Sequence, residues 1–176
     1  MFQVSRFKFH NNEGFTLIEL IVTIVILSFG IIGIYSFFYS ASILNNNFSS
    51  HLHAAYLGSE GIELVKNIRD NNILSGSSWS QGFTICTSGC QLDYKTKTSM
   101  ETLPNQLKIY NNNNFLNINS DGFYSYDTGT PTIFKRKVTI IQPSSNADEL
   151  KVTVLVTWDY NKKPFSFTTI GYIYNY

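Results

Sequence analysis

Between Leu20 and Tyr39 the chain carries no charged side chain and is apolar at almost every position. The apolar run starts at Phe15, which gives it the length a helix of about 20 residues needs to cross a bilayer. Beyond it the pattern changes to apolar residues at spacings of three and four, through Ala41, Leu44, Phe48, Leu52, Ala55, Tyr56, Ile62, Val65 and Ile68. That period predicts an amphipathic helix with one buried face. Glu63 with Lys66, and Lys66 with Asp70, stand three and four residues apart and are placed to pair. Asn71-Asn72 and Ser75-Gly76-Ser77-Ser78 predict its end. One helix from Phe15 to about Asn72 would be about 85 Å long. Gly30 and Gly33 inside it serve either as bend points or as small residues for close helix contact.

From about Trp79 the period shortens. Phe134–Ile141 is rich in β-formers, and Leu150, Val152, Val154, Val156 and Trp158 alternate onto one face of a second strand. Phe165–Tyr174 predicts a third strand, with the turn Asp159–Pro164 making the last two an antiparallel hairpin. Pro143–Asp148 is the turn before them, and one or two further strands are expected within Asn105–Tyr126, around the loop Asn111–Asn114. Phe165, Phe167, Tyr172, Tyr174 and Tyr176 are expected to pack rather than to form a binding platform. The fold class is α+β: a long helix whose second half lies on an antiparallel sheet.

Composition then narrows the chemistry. The chain has 176 residues, enough for one domain and a stalk. Its net charge of +1 provides no general field for nucleic acid. The cluster Lys135-Arg136-Lys137 is expected to protect a sheet edge from pairing rather than to bind DNA. Cys86 and Cys90 are separated by three residues; an exported protein would pair them, and no second Cys/His pair exists to complete a metal site. No nucleophile elbow, phosphate-binding glycine loop or His-Glu-x-x-His helix is present, so no catalytic residue, cofactor or metal is assigned. Glu60, Glu63, Asp70, Asp121, Asp127 and Asp159 are expected to be solvated surface acids.

Arg6 and Lys8 precede the apolar run, and the next Lys or Arg is Lys66. This asymmetry places the N-terminus in the cytoplasm and the C-terminal part outside. A secretory signal peptide fits poorly, because its apolar region is shorter and its small residue follows that region, whereas Gly14 stands before it. A plain membrane anchor explains length and orientation but not Glu19, one turn into the apolar segment. At the bilayer centre a carboxylate costs about 2.5–3.5 kcal/mol, less near the interface, and it needs a partner that no cation in the span supplies. Cleavage between Gly14 and Phe15 would create a cationic amine at Phe15, about 6 Å along the helix from Glu19. A neighbouring copy, shifted by that distance, would bring such an amine to the carboxylate.

The sequence Gly14-Phe15-Thr16-Leu17-Ile18-Glu19-Leu20 closely resembles the cleavage and N-methylation motif of type IV prepilins and type II secretion pseudopilins. The resemblance implies that a membrane peptidase cuts after Gly14 and methylates Phe15, and that Glu19 guides assembly. The long leader and Glu13 directly before Gly14 depart from the common pattern. The stretch Tyr56–Asp70 also resembles a segment of PilV-like minor pilins, which inclines the reading toward a minor subunit. The expected organisation is a leader over 1–14, a membrane and filament-core helix over 15–40, an amphipathic helix over 41–74 and a β-sheet head over 75–176. The implied partners are copies of the chain, other pilin-like subunits, prepilin peptidase/N-methyltransferase, an inner-membrane assembly platform and, before assembly, membrane lipid. The implied location is the cytoplasmic membrane, then an extracellular or periplasmic filament. The competing reading is an anchored extracellular binding or adhesion module that never polymerises.

Overall fold

The computed structural model describes residues 14, 16–97, 106–143 and 146–175, with residues 43–47 described by their backbone alone. Residues 1–13 of the expected leader, Phe15, Asn105, Ser144, Ser145, Tyr176 and the Leu44 side chain lie outside the described residues. The chain divides into two units, Met1–Asn46 and Asn47–Tyr176.

Helix α1 spans Leu17–Leu74 and contributes to both units. Within the first unit, every described side chain from Leu17 to Ser40 is exposed, Leu17 by 76% and Phe29 by 72%. The apolar span Leu17–Ser42 contains 26 residues, about 39 Å of helix against a hydrocarbon core of about 30 Å. The hydroxyls that interrupt it are turned onto their own helix: Thr23 Oγ1 donates to the Glu19 carbonyl (2.6 Å), Ser28 Oγ to Ile24 (2.7 Å) and Ser36 Oγ to Ile32 (2.9 Å). A donor satisfied in this way costs little in an apolar surrounding. Helix assignment runs unbroken through Gly30 and Gly33, and an added Cβ at either would meet nothing within 4 Å.

In the second unit the C-terminal part of α1 packs on a five-stranded antiparallel sheet. Its strands are β1 (Cys90–Gln91), β2 (Lys108–Ile109), β6 (Lys135–Ile141), β7 (Glu149–Tyr160) and β8 (Lys163–Tyr174), in the order β2-β1-β6-β7-β8. A second antiparallel sheet joins β3 (Asn117–Ile118), β4 (Tyr124–Ser125) and β5 (Thr130–Pro131), ordered β4-β3-β5. This is the expected α+β, pilin-like architecture. Leu150, Val152, Val154, Val156 and Trp158 of β7 are all buried, as their alternation predicts, and meet Val138 and Ile140 of β6 and Leu57, Val65 and Ile68 of α1 in one core.

The hairpin between β7 and β8 is tighter than the six-residue turn the sequence suggested. Twelve consecutive pairs run from Glu149↔Tyr174 to Tyr160↔Lys163. Only Asn161 and Lys162 remain as loop, at φ 50° and 62°. Positive φ at both central residues marks the turn whose twist matches paired strands, and Asn accepts that conformation readily.

Three expectations about side-chain placement are corrected. Phe48, Leu52 and Tyr56 are exposed; Val65 and Ile68 are buried as expected, and Ala54, Leu57, Gly58, Gly61, Arg69 and Asn72 complete the buried stripe of α1. The stripe turns because the glycines admit the sheet: a Cβ at Gly61 would lie 2.9 Å from Val154 Cγ1, and one at Gly58 would collide with Thr169. Phe165 and Phe167 pack against the core, but Tyr172 and Tyr174 are each 49% exposed on the opposite face of β8. Finally, Lys135-Arg136-Lys137 guards no edge. β6 lies between β1 and β7, and Arg136 is fully buried. Val138 and Ile140 face inward, so Arg136, two residues before Val138, faces inward too.

Candidate processing and assembly segment

The start of α1 is built by its own first residues. Gly14 and Thr16 are exposed and non-helical, and the helix begins at Leu17. Thr16 Oγ1 accepts a bond from the Glu19 backbone N–H (3.3 Å), and the Thr16 carbonyl accepts one from Leu20 N–H (3.1 Å). Thr16 and Glu19 thus have the spacing of a capping box, and the cap satisfies a donor that the helix leaves open. Glu19 is the acid of the first turn, where the partial positive charge of the helix N-terminus favours a carboxylate. The Thr-x-x-Glu spacing was present in the sequence as a second, purely structural reason for a helix to start here.

Cys86 and Cys90 form a disulfide with an S–S distance of 2.04 Å. Cys86 ends a short 3-10 helix, Phe83–Cys86, and Cys90 begins β1, so the bond ties this turn to the sheet. Gly89 allows the intervening loop to close at φ 111°, and its N–H donates to the Cys86 carbonyl (3.0 Å). The disulfide and the Gly14–Glu19 segment lie in different units.

Several acids expected at the solvated surface have partners. Glu60 Oε2 accepts from Arg136 Nη1 (2.9 Å), whose guanidinium also donates to the carbonyls of Leu57 (3.2 Å) and Leu92 (2.9 Å). Asp127 pairs with Lys95 (3.0 Å), which raises the Lys95 pKa through the hydrogen bond first. Glu63 pairs with Lys66 (3.4 Å) as expected, but Asp70 pairs with its neighbour Arg69 (2.7 Å). Arg69 Nη1 also donates to the Tyr174 carbonyl (3.0 Å), fastening α1 to the end of β8. Asp93 is a buried acceptor, taking bonds from Lys95 N–H, Thr96 Oγ1 and Tyr126 N–H. Tyr126 donates to the Arg136 carbonyl (2.8 Å), and burial pushes its pKa up to about 12. These contacts brace the head. Among the described residues no group of His, Cys, Asp and Glu is arranged to hold a metal ion.

An exposed Gly before a capped apolar helix, a first-turn Glu within that helix and an α+β head are the features that the sequence led us to expect together. Residues 9–35 match the family described as the prokaryotic N-terminal methylation motif. The match covers the N-terminal segment, which holds Gly14, Phe15 and Glu19. Searches of curated proteins and of solved structures returned no match to this chain.

Proposed function

We propose that the chain is a filament subunit, of minor-pilin or pseudopilin type, cut after Gly14, methylated at Phe15 and assembled through Glu19. One observation carries this reading. Glu19 is the only charged residue in an apolar span of 26 residues whose described side chains are almost all exposed. Exposed apolar surface of this extent must be covered by lipid or by other helices. In lipid the carboxylate near the end of the span reaches the interface. Among other helices it needs a cation, and the α-amine released at Phe15 of a neighbouring subunit is of the right charge and reach. The charges of Arg6 and Lys8 favour an uncut N-terminus in the cytoplasm, and the Cys86–Cys90 disulfide supports an external head, where such a bond persists. Its partners are then further copies and other pilin-like subunits, reached from the membrane through an assembly platform.

Two measurements test the proposal. Intact mass of the native protein is expected to give a chain that starts at methylated Phe15; a chain retaining residues 1–14 in cells that contain the peptidase assigns it to the anchored, non-polymerising class. Glu19→Val is expected to insert into the membrane as well as the parent or better, yet to be lost from sheared filaments. Recovery of that variant in filaments at parental yield would remove Glu19 from assembly.

A further inference from the structure

We propose that the tip of the β7–β8 hairpin docks on anionic lipid headgroups of the membrane that anchors this chain. Contacts within the second unit fix where the tip lies. Phe165 of β8 meets His51 of α1, their ring centroids 5.9 Å apart. Further along, Thr169 faces Gly58, Gly171 faces Ile62, and the Tyr174 carbonyl takes Arg69. β8 and this part of α1 therefore run in the same direction. The turn that precedes β8 lies at the end of the head where its part of α1 begins. Asn161, Lys162 and Lys163 are exposed at that turn. Aromatic rings hold it in place: Trp158 stacks on Phe165 (5.8 Å), and the His51 ring stands perpendicular to Trp158 (4.9 Å).

Charge selects the occupant. Neither Lys162 nor Lys163 has an ion-pair partner among the described residues. Lys135, at the start of β6 and in register with Thr157, adds a third ammonium at the same end, and exposed Asp159 is the acid among them. The opposite end of the hairpin carries Asp148, Glu149 and Lys151, with Asp70 paired to Arg69, and has no positive excess. Chain length selects the surface. His51 follows Ser42, the end of the apolar span, by nine residues. Such a stretch reaches at most about 32 Å when extended, and about 14 Å as helix. However the two units are arranged, the tip is tethered near the surface of the membrane that holds the span, which raises the effective concentration of headgroups around it. Interfacial Lys, Arg, Trp and Tyr side chains commonly anchor a span. Here no Lys or Arg follows the span until Lys66, and the folded hairpin supplies the cations instead. This step rests on the membrane-anchored reading given above and asks nothing of the filament.

The test reconstitutes the full chain in phosphatidylcholine vesicles with or without phosphatidylglycerol, doped with lipid that bears a nitroxide on its headgroup. Cys86 and Cys90 are bonded to each other and leave no free thiol among the described residues, so a single added cysteine takes a fluorophore cleanly. Ser166→Cys, exposed beside the tip, is the probe, and Leu74→Cys, exposed at the far end of α1, is the control. The ratio of quenched to unquenched lifetimes reads docked against undocked heads. With phosphatidylglycerol at low salt this ratio is expected to be higher at Ser166 than at Leu74, and to fall as salt screens the charges. Lys162→Gln with Lys163→Gln is expected to lower it about 25-fold, at about fivefold per lysine. Lys162→Arg with Lys163→Arg is expected to keep it, which separates lost charge from a disturbed turn. Quenching at Ser166 no greater than at Leu74 overturns the proposal. So does quenching that the glutamine pair, salt or removal of phosphatidylglycerol leaves unchanged. Flotation of the same vesicles reports the anchor separately. A chain that fails to float defeats the membrane-anchored reading and the docking with it, whereas a chain that floats without quenching at Ser166 defeats the docking alone.

Discussion

Arg136 enters the core of the head from β6 with three acceptors around its guanidinium, the carbonyls of Leu57 and Leu92 and the carboxylate of Glu60. The fork geometry of arginine suits this spread of acceptors, whereas a lysine ammonium has a single charged centre. Removing a buried partner of this kind typically costs about 3–5 kcal/mol. Arg136→Ala is therefore expected to lower the stability of the head by about 3 kcal/mol, read by urea unfolding of the full chain in detergent with tryptophan fluorescence. Arg136→Lys is expected to recover less than half of the loss, and an unfolding midpoint unchanged by either variant would contradict this role. Tyr126, hydrogen-bonded to the Arg136 carbonyl, gives the same region a pH dependence. Burial favours the neutral phenol and raises its pKa from the usual value near 10 to about 12. A raised acid pKa means that its contribution is full below pH 10 and is lost as pH rises toward 12. The loss is about 2–3 kcal/mol for a shift of this size. Absorbance at 295 nm is expected to show one tyrosine titrating near the top of that window. Tyr126→Phe is expected to flatten the fall in stability between pH 10 and 12.

The two halves of α1 use glycine in opposite ways. Gly58 and Gly61 let β8 and β7 approach the helix, while Gly30 and Gly33 face open surroundings in the first unit. Alanine normally favours a helix over glycine by about 1 kcal/mol. At Gly61 the added methyl meets Val154, a branched side chain with little room to move, and overpacking of this kind costs about 1–3 kcal/mol. Gly61→Ala is accordingly expected to lower the thermal midpoint of the head and Gly30→Ala to leave it unchanged, measured by circular dichroism on the same preparation. Equal behaviour of the two variants would mean that close helix–sheet contact is absent. The same residues explain what the sequence could and could not disclose about the elements. β7 was legible because five alternating large residues allow one orientation only. The buried stripe of α1 was read correctly at Val65 and Ile68 but misread before them, because glycine adds nothing to a hydrophobic period, although it marks the closest approach. Arg136 was misread as one of three surface charges, although its parity with Val138 and Ile140 already placed it inward. The strands β1 to β5 have two residues each and no period to detect; loops and the Cys86–Cys90 bond position them.

At the scale of the whole molecule, the sequence separates two solvents. The described apolar side chains of the first unit from Leu17 to Tyr39 face outward, and the second unit buries a core of its own. This separation was plain from composition along the chain, since a span without charge followed by a polar, aromatic-rich region admits few other arrangements. The candidate segment was legible for the same reason: one carboxylate and one preceding glycine stand out against a uniform background. What composition could not disclose was that Lys162 and Lys163 lie at the same end of the head as His51, because that follows from strand register and no local pattern encodes it.

The hydroxyls of Thr23, Ser28 and Ser36, each returned to a carbonyl one turn back, have a consequence for exchange between environments. Were this helix to pass from hydrocarbon to a sheath of apolar neighbours, as the proposed function requires, no unpaired hydroxyl would be uncovered along those turns. Under the filament reading proposed above, the difference between the two settings is left to Glu19 in the first turn of the helix.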